Sequence, residues 1–291
     1  MTAPTGTPAA EGRRVRVTLR KARDQRGLTQ KEVAEALDWS TSKVIRIENG
    51  SVGLSVTDLR ALLQQYRITD DAEVERLVRG VRASKTAGAW WQAYRNTSPP
   101  HFITFLGLEA SAIRIRQFQG LLFPGLLQTA AYARVLTAIN STTEEQANRG
   151  VEIRLKRQEL IAEDGPELFF IIDESVLHRV IGDVAVMREQ LLRIKEAAEH
   201  PKVVIRIMPF SAGAHAGMKG SFEIFELSDE PDDYALLLDR PDRDVLYPDP
   251  SEETREFVNI FFELEKIALP ASETPRVIDA RLRELEKEGR A

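Results

Sequence analysis

The chain has 291 residues, 43% of them hydrophobic, with 40 Lys/Arg against 45 Asp/Glu. Length and apolar content predict about two packed domains. The absence of cysteine excludes disulfides and thiolate chemistry, and no apolar run approaches membrane-spanning length. The net charge of −5 argues at first against a polyanionic partner, but residues 11–50 hold ten basic and six acidic side chains (+4), leaving 30 and 39 (−9) for the rest. A basic head on an acidic body is the asymmetry of a chain that offers one domain to phosphate; chance clustering is the plainer alternative.

In chain order, residues 1–12 are rich in Thr, Ala and Pro and predict a loose tail rather than a signal peptide, hence a cytoplasmic protein. Residues 13–26 predict a helix with Val15, Leu19 and Ala22 on one face. Arg13, Arg14, Arg16 and Arg20 are either a solvated face or contacts to a sugar-phosphate backbone. Thr29 and Glu32 have the spacing of a capping box, and Val33, Ala34 and Leu37 give the second helix its apolar face. Asp38-Trp39 is a turn, Ser40 caps a third helix with Val44 and Ile47 inside, and Gly50 after Asn49 stops it. Thr41, Ser42, Lys43 and Arg46 are left outside, a small polar and basic ridge that fits a DNA major groove or is simply solvated. Ser55 with Asp58 starts a fourth helix (Leu59, Leu62, Leu63, Tyr66), and Asp70 with Glu73 a fifth (Val74, Leu77, Val78, Val81). Five helices over 13–84 make a complete small DNA-binding domain.

The run Arg26-Gly27-Leu28-Thr29-Gln30, then Ser40, Val44 and Arg46-Ile47-Glu48-Asn49-Gly50, resembles the helix-turn-helix of the XRE (phage repressor-like) family. The resemblance implies that Gln30 touches a phosphate or base, that Thr41, Ser42 and Arg46 fall on base-reading positions beside Ser40, and that Lys43 and Asn49 hold the DNA backbone. It also implies a structural ion pair between Arg23 and Glu48. Ile45 departs from the polar residue usual there; it either presses on a thymine methyl or is shielded.

Residues 85–100 predict a linker, with Pro99-Pro100 forbidding helix and Trp90-Trp91 as an apolar load that pins the domains together or stacks a ligand. Residues 101–291 then form an α+β domain with a small sheet, so that the chain as a whole is mostly helical. Helix is expected over 106–119 (Leu106, Ile113, Phe118), a sharp bend at Pro124-Gly125, and helices over 129–139 and 143–163. A strand follows over 167–173, whose continuous apolar run implies burial on both faces. Helix is expected over 174–199 with a break near Gly182-Asp183. Strands follow over 203–208, 221–227 and 234–238, and helices over 251–268 and 273–288.

Catalytic signatures are weak. Asp173-Glu174 reads as a helix start rather than an acid–base pair, because adjacent strand residues face opposite ways. His101, His178, His200 and His215 have no metal-ligand spacing, and no phosphate loop, dinucleotide-binding glycine pattern or nucleophile elbow is present. The expectation is no enzyme, no cofactor and no metal. The loop 210–220 is longer than a hairpin needs: Phe210, Ser211, His215, Met218 and Lys219 either bind a ligand or partner, or bridge strands that are not neighbours.

Pro124-Gly125-Leu126-Leu127-Gln128-Thr129 with Tyr132-Ala133-Arg134, Ile171-Ile172-Asp173-Glu174, Met187-Arg188-Glu189-Gln190-Leu191, and Met208 to His215 with Gly220-Ser221-Phe222 resemble the C-terminal domain of actinobacterial antitoxin-like regulators of the WhiJ type. That resemblance implies a nucleoid-associated transcriptional regulator, controlled by a small acidic partner protein or by a small-molecule effector, or an antitoxin-like protein that neutralises such a partner. Double-stranded DNA as ligand and a homodimer as binding form complete the expectation.

Overall fold

A computed structural model describes residues 8–48, 52–86, 90–162, 165–229, 232–240 and 243–288. The chain divides between Ser111 and Ala112 into two compact units. The fold class is α+β and mostly helical, with twelve α-helices and one six-stranded sheet among the described residues.

The first unit contains α1 (Pro8–Gln25), α2 (Gln30–Ala36), α3 (Thr41–Glu48), α4 (Val56–Gln65), α5 (Asp71–Thr86), a 3-10 turn at Trp90–Tyr94, and α6 (Pro100–Glu109). Helices α2 to α5 begin where side chains accept from otherwise orphan N–H groups. Thr29 Oγ1 accepts from Glu32 N–H while Glu32 accepts from Thr29 N–H at 2.8 Å, closing a capping box on α2. Ser55 Oγ accepts from Asp58 N–H at 2.9 Å and caps α4. The α2–α3 turn needs one left-handed residue, and Asp38 supplies it at φ 56°, a conformation aspartate tolerates better than most. The apolar stripes meet in one core: Val15 and Leu19 of α1, Val33 and Ala34 of α2, Val44 and Ile47 of α3, Leu59, Leu62 and Leu63 of α4, and Leu77, Val78 and Val81 of α5. Each buried Val, Leu or Ile among them contributes about 1.5–3 kcal/mol. Trp90 and Trp91 meet edge to face, and Trp90 does the same with Tyr94. The indole nitrogen of Trp91 faces Gly107 of α6.

The second unit runs β1 (Arg114–Gln119), α7 (Ala130–Asn140), α8 (Glu144–Arg157), β2 (Glu167–Asp173), α9 (Glu174–His178), α10 (Val184–Ala197), β3 (Val203–Met208), β4 (Phe222–Glu226), β5 (Tyr234–Leu238), β6 (Val245–Tyr247), α11 (Glu252–Ile267) and α12 (Thr274–Glu288). Sheet order is β3-β2-β1-β4-β5-β6, with β1–β3 parallel and β4–β6 antiparallel. Phe118, Ile171, Met208, Phe222, Ile224, Leu236 and Leu238 line the face covered by Ile260, Phe261 and Leu264 of α11. By alternation, Ile115, Leu168, Phe170, Ile172, Ile205 and Ile207 face the other way. The outer edge of β3 is closed: Leu269 N–H donates to Ile207 O at 2.9 Å and Thr274 Oγ1 to Ile205 O at 2.7 Å.

Three sequence expectations need correction here. Pro99-Pro100 do not forbid helix: Pro99 is the N-cap and Pro100 the first residue of α6, where the N–H that proline lacks would have no partner in the helix. Residues 114–119 are the central strand, not the end of a helix; α6 stops at Glu109. β1 carries two polar side chains, Arg116 and Gln117, in its middle. Arg116 is tolerated because it pairs with Glu226 and lies 4.3 Å over the Phe169 ring and 4.9 Å over Phe262. The short strand β6 was not foreseen, since three half-buried residues carry no periodic signal.

Candidate nucleic-acid interface

The α2–turn–α3 segment is held by one buried carboxylate. Glu48, at the end of α3, has a side chain only 3% exposed. It accepts from Arg23 Nε at 2.7 Å and Nη2 at 3.1 Å, and from Gln30 Nε2 at 2.8 Å. Its carbonyl accepts from Arg20 Nη2 at 2.8 Å. One acid therefore ties α3 to both α1 and α2. The Glu48 hydrogen bond, working against burial, raises the Arg23 guanidinium above its ordinary range.

With Val44, Ile47 and Glu48 turned inward, Thr41, Ser42, Ile45 and Arg46 are left exposed along one side of α3. Ser40 is exposed and its Oγ accepts from Lys43 N–H at 3.2 Å. Arg46 Nε donates to Ser42 O at 3.2 Å. Gln30 is half-buried and engaged with Glu48. Asn49 and Gly50 lie outside the described residues.

Lys43 is engaged within the protein. Its Nζ lies 2.7 Å from Asp58 Oδ1 and 3.6 Å from the centre of the Trp39 ring. Burial works to raise the Asp58 carboxyl, but hydrogen bonds from Lys43 and Ser55 outweigh it and hold the group below the usual carboxylate range. Asp58 is thus charged at neutral pH and competes with any phosphate for Lys43. Asp58→Asn is expected to tighten binding to duplex DNA by a factor of about 1.4 to 5, the ~0.2–1 kcal/mol such a pair holds. It should also steepen the salt dependence by about one phosphate contact. Titration of labelled duplex from 50 to 200 mM salt checks this, and an unchanged slope contradicts it.

In the second unit the loop 210–220 leaves β3 and enters β4, two strands separated by β2 and β1. That separation alone accounts for its length. It crosses the C-terminal ends of the parallel strands and is fastened there. Phe210 N–H donates to Glu174 Oε2 at 2.7 Å, and Lys219 Nζ lies 3.1 Å from Glu256. The His215 side chain, 4% exposed, sits 3.5 Å from Asp173 Oδ2 and edge-on to Phe118. Phe210 and Met218 are exposed at 61% and 70%, and Ser211 and Lys219 are exposed beside them. His215 is therefore a tether beneath the loop, whereas the other four form its outer surface. Asp173 is the N-cap of α9, its Oδ1 accepting from Ser175 N–H at 2.9 Å. Among the described residues, no cluster of three or more acidic or histidine side chains could hold a metal ion, and no helix is long and apolar enough to cross a membrane.

Residues 102–280 match the family described as a domain of unknown function, DUF5753. The chain belongs to the DUF5753 family. Residues 14–77 match a helix-turn-helix domain, which supports a DNA-binding regulator. No curated protein and no solved structure matches the chain. Within this DUF5753 protein the helix-turn-helix match spans α2 and α3, the two helices that Glu48 joins.

Proposed function

We propose that the protein is a sequence-specific transcriptional regulator whose α3 enters the DNA major groove, and that its C-terminal unit controls binding through a small partner protein. The observation that carries the first half is the exposed ridge of Thr41, Ser42 and Arg46 on a helix locked from behind by Glu48. Arg46 reads guanine O6/N7, the commonest specific contact of an arginine, and Ser40, Thr41 and Ser42 add less selective polar contacts. Phosphate contacts come from Gln30, Asn49 and, once released by Asp58, Lys43. A two-fold homodimer sets two copies of α3 about 34 Å apart on half-sites one turn apart. The protein works in the cytoplasm, at the nucleoid, and its role is regulation rather than catalysis.

The partner docks on the loop surface of Phe210, Ser211, Met218 and Lys219, where two large apolar side chains stand in water beside a cation. An acidic partner takes Lys219 in competition with Glu256, the two side chains being more than half exposed.

Arg46→Ala is expected to cost about 1–3 kcal/mol at the preferred site and to flatten the preference for it. Mobility shifts on a selected duplex and on its scrambled counterpart test the reading. A mutant indistinguishable from wild type on both would remove α3 as the reader.

A further inference from the structure

Among the described residues of the first unit, Ile45 is the one large apolar side chain that stands exposed, at 40%. It is not needed for the core, which Val44 and Ile47 supply from the other side of α3. Its place on the ridge is specific. Thr41 and Ile45 are four apart and share one row of the helix surface; Ser42 and Arg46 share the next row and are joined by the Arg46 Nε bond to Ser42 O. The ridge thus has an apolar row, the Thr41 methyl and Ile45, running beside a polar row that ends in a guanidinium.

The major groove offers such a row one apolar partner on its base edges, the C5-methyl of thymine. The other groups that distinguish the bases there are hydrogen-bond donors or acceptors, which an isoleucine would desolvate without compensation. We infer that Ile45 is a specificity-determining residue that packs on a thymine methyl one base step from the guanine read by Arg46. Neighbouring rows of one helix then read neighbouring base pairs, about 3.4 Å apart. The inference rests on the proposed major-groove placement of α3 and goes beyond it by naming the base that accompanies guanine.

The test uses the full chain. Selection from a randomised duplex pool yields the preferred half-site, and each thymine in it is then replaced by deoxyuridine, which keeps the base pair and removes only the methyl. At one thymine per half-site, adjacent to a guanine, the replacement should weaken wild type about fourfold, the worth of one methylene-sized group. Ile45→Ala should bind the thymine and uridine duplexes alike, and Ile45→Val should show a ratio of about twofold, which keeps the comparison readable if the alanine variant binds poorly. Wild type indifferent to every replacement, or a thymine still sensed by both variants at full strength, overturns the role of Ile45 while leaving α3 as reader. A pool in which no sequence is enriched overturns that reading itself, and the inference with it.

Discussion

Replacing Glu48 with alanine is expected to destabilise the first unit by about 3–5 kcal/mol, the cost of removing one partner from a buried ion pair. The Arg23 side chain is 11% exposed and, among the described residues, keeps only Asp24 and the Leu28 carbonyl as hydrogen-bond partners once the acid is gone. Gln30 loses its acceptor as well. Glu48→Gln keeps the shape and the Gln30 contact but loses the charge, and should cost less, about 1.5–3 kcal/mol. The three tryptophans, Trp39, Trp90 and Trp91, all lie before Ser111, so tryptophan fluorescence during urea unfolding reports this unit by itself. A midpoint shift without a change of slope would confirm lost stability; a midpoint equal to wild type for Glu48→Ala would refute the account. The loss carries to function, because the same carboxylate sets the angle of α3 against α1 and α2.

The second large effect is expected at Gly217. A Cβ built there would stand 2.5–2.9 Å from three atoms of the Phe118 ring. That ring cannot retreat: it is 1% exposed, stacked at 6.0 Å on Phe222, and edge-on to His215. Gly217→Ala should therefore cost about 1–3 kcal/mol through forced displacement of the loop or of the sheet core. Far-UV circular dichroism reports both units, and tryptophan fluorescence only the first, so a transition seen by dichroism but not by fluorescence is that of this unit. Phe118→Leu in the alanine background should recover part of the loss, a coupling that a double-mutant cycle measures. Additive effects of the two substitutions would show that the contact is not the cause. Because the loop surface is the proposed docking face, Gly217→Ala should also weaken partner binding while leaving DNA binding unchanged.

The two halves of the chain were unequally legible. In the first unit the elements declared themselves through short-range chemistry. Thr29 with Glu32 and Ser55 with Asp58 are three residues apart, and the stripes Val33–Ala34 and Val44–Ile47 repeat within one or two turns. The Arg23–Glu48 pair, 25 residues apart, came only from the resemblance. The competition of Asp58 for Lys43 was not visible in the sequence, because nothing in a capping pair tells that its carboxylate also reaches another helix. In the second unit the strands 167–173 and 203–208 stood out as apolar runs. The strand 114–119 did not, since its central arginine finds its acid 110 residues away.

What the sequence determined by itself was the helices α2 to α5 with their caps, the outward ridge of α3, and the α+β class. These depend on contacts within a turn or two, whose spacing is written along the chain. Only the tertiary structure decided the order of the sheet, the crossing of the 210–220 loop over β2 and β1, the burial of His215 beneath it, and the exposure of Ile45. Those follow from which distant segments pair, and backbone pairing leaves no local trace when the side chains that make it tolerable come from elsewhere in the fold.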